Sequence, residues 1–179
     1  VSDLDAVFAF VEEHGPFEVL FNNAGTNSPM PYVDVTPDNF DSIVGLNLRS
    51  AFFMAQAVAK GLIAAGKSGS IIHTSSQMGH VGGLDRAVYC ATKHALSAMA
   101  RSFRMELQEF GIKVSEIAPG MVDTDIRASS DHPVVVAAIQ NRKFSPLSPA
   151  EVASAVLYAL QSPPNLCPDL IELRPQGSV

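Results

Sequence analysis

Tyr89 and Lys93 lie four residues apart in the stretch "VYCATKHAL". On a helix that spacing puts both side chains on one face. As a solvated surface pair they would do nothing. A cation held beside a phenol, however, favours the phenolate and lowers the phenol's pKa. A tyrosine tuned toward neutral pH can pass a proton to or from a reacting oxygen. Ser76, in "HTSSQMG", offers a hydroxyl that can donate to a carbonyl or accept from an alcohol. No G-x-S-x-G elbow surrounds it, which argues against a serine hydrolase. Asn47 lies between Leu46 and Leu48 in a helical stretch, where asparagine is a poor fit, so it either faces solvent or has a task. "NNAG", Asn22 to Gly25, is either a plain turn or a place where a missing side chain lets a ligand approach the backbone. His73, expected to face out of its strand, His80 and His94 share no spacing and are taken as structural or solvated; Cys90 is taken as packed.

These residues need elements to position them. Asp3–His14 has the pattern of an amphipathic helix stopped at Gly15-Pro16, and "FEVLFNNAG" that of a buried strand ending in a turn. Thr36, Pro37 and Asp38 form a helix start, and the helix is predicted to run without a break to Gly66. "GSIIHTSS" is a second strand, Arg86–Phe110 a long helix ending at Gly111, and "IKVSEIAPG" a third strand. Asp125–Ser148 is expected to be irregular with a short helical piece; Ala150–Gln161 is a further helix and "DLIEL" a last strand. Alternating strands and helices predict an α/β fold, a Rossmann-like doubly wound parallel sheet with helices on both faces. Ligands bind such sheets beyond the carboxyl ends of the strands. Asn22, Asn23 and Gly25, then Ser75 and Ser76, then Pro119 and Gly120, all fall there.

The bulk properties narrow the partners. The chain of 179 residues suits one domain, 1–179, and 47% hydrophobic with 17% charged residues is a globular composition. A net charge of −6 without a basic run argues against nucleic acid and anionic membrane surfaces. No apolar stretch is expected to span a membrane, and "VSDLDAVFAF" lacks signal-peptide character. Cys90 and Cys167 make neither a disulfide framework nor a metal-ligand spacing, so a cytoplasmic setting is expected and no metal.

Taken together, "NNAG", Asn47 in "LNLRS", Ser76 in "HTSSQMG", "YCATK" and "PGMVDT" occur in the order and approximate spacing of the short-chain dehydrogenase/reductase family. The chain resembles the compact single-domain branch of that family from end to end. The resemblance implies an NAD- or NADP-dependent oxidoreductase interconverting an alcohol and a ketone or aldehyde. It implies Asn47, Ser76, Tyr89 and Lys93 as the catalytic set, with Tyr89 as general acid and base. Lys93 would lower the tyrosine's pKa and hold the ribose, Ser76 would orient the substrate oxygen, and Asn47 would anchor a water chain. Asn23, Ala24 and Gly25, with Tyr89 and Lys93, would border the ribose. Pro119, Gly120, Val122 and Thr124 would wall the nicotinamide, and 125–148 would form a lid. Arg86 and Arg127 are candidates for meeting an acidic group on a substrate, and Gly82 and Gly83 for leaving it room. A homo-oligomer, dimer or tetramer, through the two long helices is also implied.

One family motif does not occur in the 179 residues: the glycine-rich "TGxxxGxG" turn that cradles the pyrophosphate. The strands then correspond to strands four to seven of the usual order, with on the order of 60 residues expected ahead of them at about 30 per βαβ unit. The expectation is a segment of a longer enzyme. The alternatives are an inactive relative that senses dinucleotides or is purely structural, and a lyase or epimerase on the same scaffold.

Overall fold

The computed structural model describes residues 1, 3–124 and 132–178. Helix α1, Leu4–His14, starts where the Asp3 carboxylate accepts a hydrogen bond from the Ala6 N–H at 3.1 Å. Strand β1 is Val19–Asn22. Helix α2, Pro37–Val44, is capped by Thr36, whose hydroxyl accepts from the Asn39 N–H at 3.2 Å. It passes directly into a π-helical stretch, Gly45–Arg49, and then into α3, Ser50–Ala65, which ends on Gly66 in the left-handed region at φ 63. Strand β2 is Gly69–Thr74, followed by a 3₁₀ turn, Gln77–Gly79. Helix α4 is Ala87–Leu107 and strand β3 is Ile112–Pro119. Helices α5, Pro133–Gln140, and α6, Pro149–Gln161, precede the last strand β4, Leu170–Leu173.

The four strands form one parallel sheet in the order β1-β2-β3-β4, as the alternation of elements predicts. Side chains alternate between its faces. Ile71, Ile112 and Val114 pack with Ala55, Val58 and Leu62 of α3 and Ala100 of α4 on one face. Ile72 and Ile117 pack with Ala155, Val156 and Ala159 of α6 on the other. A sheet covered on both sides explains why its central strands are almost uniformly apolar. The register pairs Asn22 with His73 and Thr74 with Ile117, so the strands end side by side. The segments that follow them therefore open onto one edge of the sheet.

Two expectations change. The long helix is not uniform, because the π-helical stretch interrupts it around Asn47. The continuous helical run Pro37–Ala65 is also apolar enough to cross a membrane, with mean hydropathy 1.2 over an 18-residue window. In this fold that apolarity serves the core, where Ala55, Val58 and Leu62 are all buried.

Candidate active site

The site is assembled from the ends of three strands and one face of α4. Asn47 is the hinge of this assembly. A π-helical turn carries an extra residue and changes the direction of its side chains, and here it accompanies an Asn47 that is only 1% exposed. Its Oδ1 accepts from the Thr26 N–H at 2.8 Å and its Nδ2 donates to the Thr26 carbonyl at 2.8 Å. Nδ2 also donates to Thr92 Oγ1 at 3.3 Å, and the Thr92 hydroxyl donates to the Tyr89 carbonyl at 2.8 Å. One buried amide thus ties the loop after β1 to the turn of α4 that carries Tyr89. Gly25 passes close above it: a Cβ there would lie 3.3 Å from Asn47 Oδ1 and 3.8 Å from Lys93 Nζ.

Lys93 is 5% exposed and donates to the Thr74 carbonyl at 2.8 Å. Its Nζ lies 5.7 Å from the centre of the Tyr89 ring, so the two side chains do share a face of α4. Burial pushes the Lys93 pKa down to about 8, against the opposing pull of the Glu116 carboxylate. An ammonium has three donors, and among the described residues Thr74 supplies its one hydrogen-bond acceptor. Ser76, also buried, accepts from the Met78 N–H at 3.1 Å and donates to the Pro119 carbonyl at 3.4 Å.

A cavity of about 480 Å³, well within the range of small-molecule sites, collects these groups. Ser76, Tyr89 and Lys93 line it together with Asn23 and Gly25. Pro119, Gly120, Val122 and Thr124 line it as well. Of the residues expected to border a ribose, Ala24 does not line the cavity. Asn47 sits behind the wall. A hydrogen bond from the Thr74 hydroxyl to Asn23 Oδ1 at 3.1 Å links the first two strand ends.

Other candidates fare differently. Arg86 is buried and does not line the cavity, and Arg127 lies outside the described residues, as does 125–131 of the expected lid. Gly82 has open space beside it and a Cβ at Gly83 would meet Met78 Sδ at 3.0 Å, but neither glycine lines the cavity. Cys90 is packed as expected. His73 does not face out: it is fully buried, its Nδ1 lies 3.4 Å from Asn22 Nδ2, and burial followed by the Lys93 charge pushes its pKa down to about 4. His80 is not simply solvated either, because its Nε2 lies 3.4 Å from Glu116 Oε1. Glu116 itself was not among the candidate residues, although a carboxylate in the middle of "IKVSEIAPG" is a visible anomaly in an apolar strand.

The residues present fit the nicotinamide-ribose end of a dinucleotide. Gly25 leaves a cradle that a side chain would fill, and the Lys93 ammonium lies beside it. When bound, such a cofactor supplies or accepts a hydride at a carbon of the substrate.

Comparison with known proteins places the sequence and the fold among described relatives. Residues 2–134 match the family described as short chain dehydrogenase. The chain is 35% identical over 165 residues to D-erythrulose reductase of Gallus gallus, covering 89% of this chain and 66% of that enzyme. It is 38% identical over 117 residues to sorbitol dehydrogenase of Cereibacter sphaeroides, covering 65% of this chain and 46% of that enzyme. The chain thus spans less than two thirds of the length of each. In fold it is similar to the structure of 4-hydroxyisoleucine dehydrogenase complexed with NADH, with a TM-score of 0.83 and 23% identity, covering 97% of this chain and 76% of that one.

Proposed function

This chain belongs to the short chain dehydrogenase family, and from that premise we propose that it serves an NAD- or NADP-dependent oxidoreductase interconverting an alcohol and a ketone or aldehyde, with Tyr89 as the general acid and base. The observation that carries the proposal is the placement of Tyr89, Lys93 and Ser76 on the wall of one cavity bounded by Gly25 and Gly120. In the reduction direction the Tyr89 hydroxyl gives its proton to the carbonyl oxygen of the substrate, and in oxidation the phenolate takes the proton from the alcohol. The Ser76 hydroxyl hydrogen-bonds the same oxygen and fixes its distance from Tyr89. The Lys93 ammonium stabilises the phenolate and uses its remaining donors on ribose hydroxyls. Asn47 holds the Thr26 backbone and the Tyr89 turn in register. A water chain at Asn47 and a lid from 125–148 remain part of the proposal. So does a homo-oligomer, which the exposed Phe40 and Phe52 on the long helical run support.

The names of the relatives suggest ketoses and polyols as first substrates. The test is an assay of the full-length protein with NAD(H) and NADP(H) against ketoses, polyols and hydroxy acids, read by cofactor absorbance. Turnover of at least one carbonyl/alcohol pair is expected. Binding of cofactor with no turnover across the panel would favour the dinucleotide-sensing alternative.

A further inference from the structure

The strand face that carries Ile112 and Val114 into the core carries Glu116 next, two residues further on, and Glu116 is 2% exposed. An apolar side chain would satisfy packing there. A buried carboxylate is costly unless charge and hydrogen bonds compensate it. Its partners come from each element around the reaction centre. Ser75, the residue before Ser76, donates its hydroxyl to Glu116 Oε1 in a short hydrogen bond. Ser97, one turn beyond Lys93 on α4, donates to the same oxygen at 2.5 Å and lies 3.2 Å from the Lys93 carbonyl. His80, just past the 3₁₀ turn that Ser76 caps, places Nε2 3.4 Å from that oxygen. The 3₁₀ turn is closed onto α4 so tightly that a Cβ at Gly79 would lie 2.9 Å from the Lys93 carbonyl and 3.0 Å from Ser97 Oγ. Across the sheet, Glu116 is register-paired with the buried His73. The titratable groups that face it are therefore His80 from the loop, Lys93 from α4 and His73 from β2.

We infer that Glu116 is a positioning residue for the reaction centre: its buried carboxylate locks the strand end bearing Ser76 to the helix turn bearing Lys93, and its charge holds Lys93 as the ammonium. This deepens the oxidoreductase reading and rests on it for its consequence in turnover. The direction of the electrostatic effect agrees, since Glu116 acts on Lys93 to favour the charged form.

Glu116→Gln separates charge from shape, because the amide keeps the volume and can still accept from both serines. The direct readout is the titration of Lys93 by NMR of labelled lysine side chains in the full-length protein without substrate, followed by the pH profile of kcat/KM. The Lys93 midpoint, about 8 in the parent, is expected to fall by roughly one pH unit in Glu116→Gln. The alkaline limb of kcat/KM is expected to move with it. If Glu116→Gln does not fold, Glu116→Asp carries the test, because it withdraws the carboxylate by one methylene and is expected to lower the same midpoint by a smaller amount. An unchanged Lys93 midpoint in a folded Glu116→Gln, or in Glu116→Asp where Glu116→Gln does not fold, overturns the inference. A shifted midpoint in a protein that turns over no carbonyl compound would leave the inference standing and remove the oxidoreductase reading.

Discussion

At the scale of single residues, Asn47 and His73 make the strongest claims on stability. Asn47→Ala would strand the Thr26 N–H and carbonyl and release the loop after β1. It is expected to destabilise the fold by roughly 2 kcal/mol, at the usual cost of unsatisfied buried groups, measurable by denaturant unfolding. His73 makes the fold sensitive to acid. Its folded pKa of about 4 lies below the ordinary histidine value of 6.5, so its contribution is fully present above pH 6.5 and is lost as pH falls toward 4. The loss is at most about 3 kcal/mol at 1.36 kcal/mol per pKa unit. In His73→Leu, the drop in unfolding free energy between pH 7 and pH 4 is expected to be smaller by about that amount. An equal drop in both proteins would contradict a buried neutral His73. Tyr89 and Lys93 were legible in the sequence because an i, i+4 relation is local. Asn47 stood out as a misfit between leucines, but its grip on Thr26 and Thr92 was not legible, nor was the role of Glu116, because their partners lie far away along the chain. His73 was misplaced for a related reason: alternation assigns side chains to opposite faces, but both faces of this sheet are covered.

At the scale of elements, the strands and helix starts were written locally and were largely legible. Thr36-Pro37 and Ser148-Pro149 both mark helix starts in the structure. The second is a full capping box, in which the Glu151 side chain accepts from the Ser148 N–H at 2.6 Å and the Ser148 hydroxyl accepts from the Glu151 N–H at 3.3 Å. Ser148→Ala is expected to cost about 1 kcal/mol of stability, read as a lowered denaturation midpoint. The π-helical stretch had no such signal. A single asparagine between leucines hinted at an irregularity, but the extra residue in the turn accompanies what Asn47 grips far along the chain, the Thr26 backbone and Thr92. Residues 121–123 add another non-local feature, since Leu147 donates to the Met121 carbonyl and Asp123 donates to that of Leu147. The segment following Pro119-Gly120 is thereby tied to the start of α6.

At the scale of the whole molecule, four parallel strands in sequence order bring distant motifs to one edge. The β1 end supplies a glycine, the β2 end a serine, the β3 end a proline-glycine wall, and α4 lays its Tyr-Lys face across them. The helices behind the sheet hold this edge through two separate apolar clusters. The most direct measurement is steady-state kinetics of Tyr89→Phe in the full-length protein, alongside cofactor titration and thermal unfolding. Loss of the acid–base group is expected to lower kcat/KM by about 10²–10⁴-fold, with cofactor affinity and Tm near those of the parent. Parent-like turnover by a folded Tyr89→Phe would contradict the assignment of Tyr89 as the proton-transfer group.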